Sequence, residues 1–232
     1  MKKQKAFYKN KQTYTPKQND LQWQLQDVNG FSNPKDYLEQ YQTSPQIAGE
    51  MLHEISMKYG DDIYDMRIAD LGCGTGMLGI AAALIGCDYV TMYDIDKEAI
   101  EIAQQNVEEM DLRDKVQFVL VDVNQLKDWT SLRKQYDIVL TNPPFGVRSE
   151  KGADINFLKS GINICNGCVY SLHKLSTKDY LVKFYQRNNI QNLNAFKIKY
   201  DLPKSYKFHK ESNKVIDVIC LEANVGDICI NE

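Results

Sequence analysis

Long apolar runs are what this 232-residue chain most plainly lacks. None approaches the ~18 to 20 residues of a membrane-spanning helix. The opening Met1-Lys2-Lys3-Gln4-Lys5 leads into no apolar segment of the kind a signal peptide needs. A soluble intracellular protein with no membrane partner is the expectation. A disulfide framework is missing as well: the six cysteines, at 73, 87, 165, 168, 220 and 229, are scattered through expected strands, helices and turns, which favours reduced thiols. Cys165-Asn166-Gly167-Cys168 has the spacing of zinc ligands or of thiol exchange, yet no second pair and no neighbouring histidine pair accompanies it. A structural zinc site takes four ligands, so no metal is expected there. The stretch reads instead as a helix end, a Gly turn and a strand starting at Val169. No internal repeat is visible.

A strong net charge is also absent. The value of −3 argues against a protein that grips nucleic acid with its whole surface, but the charge is uneven. Residues 1 to 17 carry six lysines and no acid, and residues 197 to 214 carry six lysines against Asp201 and Glu211. The body from 18 to 196 nets −9 and the end from 215 to 232 nets −4. The two basic patches read either as local phosphate contacts or as solvated segments. Residues 1–19 are polar and aperiodic and are expected to form a mobile tail, 20–225 a single domain, and 226–232 a C-terminal tail.

Within that domain Leu21, Leu25 and Val28 recur at helical spacing, and the helix is expected to end near Asn29-Gly30. Ser44-Pro45 reads as an N-cap and a first-turn proline for a helix with Ile47, Ala48, Met51, Leu52 and Ile55 as its buried stripe, closed by Gly60. His53 on that helix reads as a half-exposed surface imidazole. From Arg67 strands and helices alternate: strands at 67–71, 89–94, 116–121, 136–141, 168–172, 193–200 and 215–221, helices at 77–85, 97–110, 153–164 and 176–188. Apolar, β-branched strands in alternation with helices predict an α/β, doubly wound, mostly parallel sheet. The last two strands have no helix between them and are expected to form an antiparallel hairpin at the sheet's end.

The most telling stretch is Asn142-Pro143-Pro144-Phe145-Gly146, at the end of the apolar run 136–141. Two prolines fix φ and donate no N–H, which leaves the backbone carbonyls of Asn142 and Pro143 free to accept from something that is not protein. With an Asn carbonyl beside them and a Phe ring for stacking, the site suits an amino group on a nucleobase. A strand followed by a tight turn is the plainer reading.

Asp70-Leu71-Gly72-Cys73-Gly74-Thr75-Gly76 joins the first strand to a helix through three alternate glycines, which let the chain turn and let a ligand lie against bare backbone. Gly74 to Gly79 also spells G-x-G-x-x-G, so the glycines alone do not choose between NAD and another nucleoside cofactor. Asp94 ends the second strand, where a carboxylate accepts from both ribose hydroxyls; Asp96 suits better as the N-cap of the next helix. Asp122, after the third strand, can accept from an adenine amine or serve as a turn residue. All lie at the carboxyl ends of parallel strands, where open α/β sheets bind ligands.

The glycine motif resembles that of the class I, Rossmann-like methyltransferases that use S-adenosylmethionine, and Asn142-Pro143-Pro144-Phe145 resembles the NPPF motif of those acting on adenine amines and on glutamine amides. Leu38-Glu39-Gln40-Tyr41-Gln42-Thr43, Val169-Tyr170-Ser171-Leu172-His173-Lys174, Tyr200-Asp201-Leu202-Pro203 and Ser205-Tyr206-Lys207-Phe208-His209-Lys210 are similar to the methyltransferase-like protein 5 family. These are the eukaryotic small-subunit (18S) rRNA N6-adenosine methyltransferases, and the match runs from about residue 21 to 221 in order. The resemblance implies a seven-stranded sheet and S-adenosylmethionine as cofactor, held by Gln40, Thr43, Asp70, Gly72, Gly74, Thr75, Gly76, Asp94, Asp122 and Val123. It gives Asn142, Pro143, Pro144 and Phe145 the target base; His173 and His209, nearer the expected sheet end and loop, read as structural. It further implies a heterodimer with a small zinc-binding activator subunit of the tRNA-methyltransferase 112 type, a small-subunit rRNA substrate, and residence in nucleus (nucleolus) and cytoplasm. The chain departs from the family in its longer Lys/Gln-rich N-terminus, in Val147-Arg148-Ser149-Glu150 and in its extension past Leu221. Glutamine N5-methylation of a protein, or RNA binding without catalysis on the same fold, are the alternatives.

Overall fold

Apolar side chains alternate along each central strand, and each of the two faces they create is covered. The computed structural model describes residues 17–123, 132–146, 148–149, 152–198, 217–226 and 228. Strands β1 (Arg67–Leu71), β2 (Tyr89–Asp94), β3 (Val116–Leu120), β4 (Tyr136–Thr141), β5 (Cys165–Lys174), β6 (Leu193–Ile198) and β7 (Val218–Asn224) form one sheet in the order β3-β2-β1-β4-β5-β7-β6. The pairs from β3 through β5 are parallel, and β7 runs antiparallel to both β5 and β6. The expected doubly wound sheet with a terminal antiparallel hairpin is therefore what forms.

Ile68, Val90, Met92, Ile138, Leu140, Tyr170, Leu172 and Cys220 face one way, against helices α1 (Gln18–Leu25), α2 (Pro45–Tyr59) and α3 (Met77–Leu84). Ala69, Leu71, Val139, Val169, Ile219 and Leu221 face the other, against α5 (Ala153–Ile164) and α6 (Lys178–Arg187). Helix α4 (Lys97–Glu109) closes the β2–β3 end. Burial on both faces explains why these strands read as near-continuous apolar runs. Ser44 caps α2 by accepting from the Ile47 N–H at 3.2 Å, with Pro45 at the first helical position, and Asp96 caps α4 by accepting from Glu98.

The helix end expected before Cys165 is where it forms, but the Gly turn expected between Cys165 and Cys168 is overturned. Helix α5 ends at Ile164, and β5 begins at once with Cys165, so these residues are strand and not turn. The β4–β5 register slips between Tyr136↔Cys165 and Ile138↔Cys168, a bulge with Gly167 set so close to the Asp137 carbonyl that a Cβ would not fit. Five cysteines, 73, 87, 165, 168 and 220, are free and buried; Cys229 lies outside the described residues.

Two boundaries also move. Helix α1 starts at Gln18 and ends at Leu25, so Val28 is buried from the turn after it. Gly226 and Ile228 are tied to the fold, because Lys134 Nζ donates to their carbonyls (2.7 and 2.6 Å), as well as to those of Ile162 and Cys165. All of the basic N-terminal run but Lys17, all but the first two residues of the 197–214 patch, and His209 lie outside the described residues.

Candidate functional site

The sheet order reverses between β1 and β4, and the crevice above their carboxyl ends receives both loops that the sequence singles out. Thr141 Oγ1 donates to the Leu71 carbonyl at 2.9 Å, which joins the two strand ends where the glycine loop and Asn142 depart. A cleft opens there. Among its lining residues are Gln40, Thr43, Asp70, Gly72, Gly74, Thr75, Asp94, Asp122, Val123, Asn142 and Pro144. Residues expected on separate grounds, from 40 to 144, thus meet at one place. Gly76, Pro143 and Phe145 do not line it.

The glycine loop owes its shape to its neighbours as much as to any ligand. Gly72 and Gly74 have φ of +69° and +55°, the left-handed region, and a Cβ on either would stand 2.8 Å from the rings of Phe157 and Phe31 respectively. Both rings also line the cleft, and pattern reading of the sequence missed them. Asn106 of α4 donates to the Thr75 carbonyl at 2.9 Å and to the Asn29 carbonyl at 3.0 Å, which holds the loop from outside.

Asp94 is 8 % exposed, and its carboxylate accepts the Gly74 N–H at 2.7 Å and the Asp96 N–H at 2.8 Å. Burial raises its pKa, opposed by those N–H groups. Asp96 shows the opposite balance: burial would raise it, but Lys35 Nζ and Gln40 Nε2, each at 2.6 Å, hold it below the ordinary carboxylate range. Gln40 lines the cleft, yet its amide is engaged at both ends, accepting from the Lys35 N–H at 2.7 Å and donating to Asp96. Ile95, between the two acids, is 48 % exposed and forms an apolar part of the wall.

Asp70 is 1 % exposed and accepts the Gly79 N–H at the start of α3 at 2.8 Å, so it shapes the loop from beneath. Burial, opposed by that N–H and reinforced by Asp94, pushes its carboxyl up to about 7. A raised acid means that the folded state holds the proton more tightly than the unfolded one. Its contribution to stability is therefore full below the unfolded value of about 4 and is lost as pH rises towards about 7. Asp70→Asn keeps an acceptor for Gly79 and removes the charge. Its stability relative to the parent is expected to rise by something on the order of 2 to 4 kcal/mol between about pH 4 and pH 8, measured by urea unfolding. A flat difference across that range would show that Asp70 is not held in this way.

On the opposite wall Asn142 Nδ2 donates to Thr43 Oγ1 at 2.9 Å, which turns Asn142 Oδ1 away from Thr43. Among the described residues no hydrogen bond goes to that oxygen or to the Pro143 carbonyl. Phe145 lies outside the cleft, with Lys174 Nζ 5.1 Å from its ring centroid. The loop after it is held by Glu39, which sequence reading did not single out. Its carboxylate accepts from the N–H groups of Phe145, Arg148 and Ser149 and from Ser149 Oγ, at 2.7 to 2.9 Å. Burial would raise the Glu39 pKa, and those four donors hold it below the ordinary value. His173 is 1 % exposed on β5, and burial alone pushes its imidazole down to about 3, in keeping with a structural place.

The cleft fits a nucleoside carrying a cationic sulfur. Thr75 Oγ1 is buried with no partner among the described residues, beside backbone bared by two glycines. Asp94 presents a carboxylate and Ile95 an exposed apolar side chain to the same cleft.

Residues 50–162 match the sequence model of the family described as Methyltransferase small domain. The chain is 42% identical to the rRNA N6-adenosine-methyltransferase METTL5 of Danio rerio, over 86% of this chain and 94% of that one. It is 40% identical to the rRNA N6-adenosine-methyltransferase Mettl5 of Drosophila melanogaster, over 89% and 95%. Among solved structures it is similar to a candidate RNA methyltransferase of Pyrococcus horikoshii, with a TM-score of 0.73, 31% identity, and coverage of 94% of this chain and 100% of the other.

Proposed function

We propose that this chain, which belongs to the rRNA N6-adenosine methyltransferase family, transfers a methyl group to the N6 of an adenosine in small-subunit (18S) ribosomal RNA. The observation that carries the reading is the direction of Asn142: Thr43 takes its amide N–H at 2.9 Å, leaving an acceptor oxygen where the cofactor cleft meets the loop of two prolines. Thr75, Asp94, Asp122, Val123 and the glycine loop would hold S-adenosylmethionine, which would supply an electrophilic sulfonium methyl. Adenine N6 is a poor nucleophile because its lone pair is delocalised into the ring. Asn142 Oδ1 and the Pro143 carbonyl accept its two N–H bonds, which draws the nitrogen towards a pyramidal shape and frees the lone pair. The N6 lone pair would displace the methyl in line as the S–CH3 bond breaks. S-adenosylhomocysteine would leave as a neutral thioether and one proton of the alkylated amine would pass to solvent, so positioning does most of the work and no strong base is required. Phe145, outside the cleft, stacks on the adenine after the base leaves its own helix.

A small zinc-binding activator subunit completes the enzyme in this reading, by covering an exposed sheet edge and apolar surface. Among the described residues the sheet ends in β3 and β6, and β3 presents Leu120, a large apolar side chain, at 55 % exposure on its outer strand. The experiment is mass mapping of N6-methyladenosine in rRNA from cells with and without the gene. One adenosine of the small-subunit RNA is expected to lose its methyl group, and an unchanged map would overturn the reading. Activity of the purified chain alone, as a stable monomer, would remove the subunit from it.

A further inference from the structure

We propose that Glu39 is a positioning residue for methyl transfer: it fixes Phe145, Arg148 and Ser149 against the cofactor wall, so that Asn142 meets its base in one geometry. This rests on the function proposed above and adds a residue to it.

The backbone of Glu39 is in the left-handed region, φ +51°, which few residues other than glycine and asparagine adopt. Its side chain lies in a residue only 7 % exposed, where a carboxylate is unfavourable unless hydrogen-bonded. Both costs are offset in one way. Oε2 accepts the Phe145 N–H at 2.7 Å, while Oε1 accepts the Arg148 N–H at 2.7 Å, the Ser149 N–H at 2.9 Å and Ser149 Oγ at 2.9 Å. Two prolines keep this loop from pairing as a strand, so its N–H groups need acceptors from elsewhere.

The residues around Glu39 give the clamp its direction. Gln40 is bonded to Asp96, two residues past Asp94, and Thr43 is bonded to Asn142 itself. Segment 39–43 therefore holds the cofactor wall, the Asn142 side chain and the backbone beyond Phe145 at once. Only a carboxylate serves, because two oxygens must meet four donors. A glutamine has nearly the same shape but would set an NH2 group against an N–H.

The test uses the full chain, with the activator subunit where turnover requires it. In Glu39→Gln the amides of Phe145, Arg148 and Ser149 should exchange hydrogen at least about tenfold faster. Turnover on rRNA should fall about 10- to 100-fold, the scale of a misplacement near 1 Å. The Kd for S-adenosylmethionine should stay within about threefold: Glu39 lines the cleft, but its carboxylate is turned to the loop N–H groups, and the wall at Asp96 is bonded through Gln40. Ser149→Ala, which removes one donor of the four and spares the fold, should show a smaller loss of kcat in the same direction. A lower melting temperature with unchanged kcat would make Glu39 merely structural and overturn the proposal. Asn142→Ala is measured beside it. If that variant is inactive while Glu39→Gln turns over normally, only the Glu39 proposal falls; if Asn142→Ala keeps full turnover, the reading of the site falls and takes the proposal with it.

Discussion

Asn142→Ala should bind S-adenosylmethionine as the parent does and lose at least about 100-fold in kcat on rRNA, the scale seen when one preorganised polar group is removed from the place where charge develops. The separation of the two effects follows from the walls of the cleft. Asp94 and Thr75 lie on the β1–β2 side, and the Gly74 N–H is fixed by Asp94 at 2.7 Å without help from Asn142. What the substitution removes is the acceptor for the amine and the partner of Thr43, both on the β4 side. Only interactions stronger in the transition state than in the ground state accelerate the reaction, so the loss belongs in kcat and less in KM. Isothermal titration with the cofactor and single-turnover assays on rRNA separate the two. Parental turnover by the Asn142→Ala variant would sink the amine-holding role, whatever the family resemblance implies.

The sheet was legible because its strands are buried on both faces and therefore stand out as apolar runs between amphipathic helices. Asp94 and Asp96 could be told apart because capping geometry is local: Asp96 does accept from Glu98 two residues on. What was not legible depends on partners distant in sequence. Nothing near Cys165 announces that Gly167 meets the Asp137 carbonyl from the neighbouring strand, so a bulge was read as a turn. Glu39 is silent for the same reason, its donors being 106 to 110 residues away. Phe31 and Phe157 were missed because an aromatic in a loop or on a helix looks like any core residue until the glycine it touches is known.

The resemblance carried residue identities further than it carried roles. Gln40 and Asp70 reach the cleft as implied, but the first joins Lys35 to Asp96 and the second supports the start of α3. Thr43 belongs with them, since its hydroxyl meets Asn142 and orients that amide.

Asp94→Ala is expected to weaken S-adenosylmethionine binding by about 100-fold or more. Hydrogen bonds to a charged acceptor are worth about 1.5 to 3 kcal/mol each, and in the function proposed above the carboxylate at the end of β2 accepts from two ribose hydroxyls. It does more than that. The same carboxylate holds Gly74 and Asp96 by their N–H groups, so alanine also releases the glycine loop whose backbone forms the floor of the cleft. Asp94→Asn separates the contributions, because its one oxygen retains an acceptor while the charge is gone; a loss of about tenfold is expected. Both variants should keep the fold, since removing a buried acid relieves the repulsion between Asp94 and Asp70. Titration with S-adenosylmethionine and with NAD decides the matter. If Asp94→Ala binds S-adenosylmethionine within about threefold of the parent, Asp94 is no ribose ligand. If the parent itself binds NAD and not S-adenosylmethionine, the glycine loop serves the other nucleoside cofactor that its pattern allows, and Asn142 to Phe145 have no methyl group to direct.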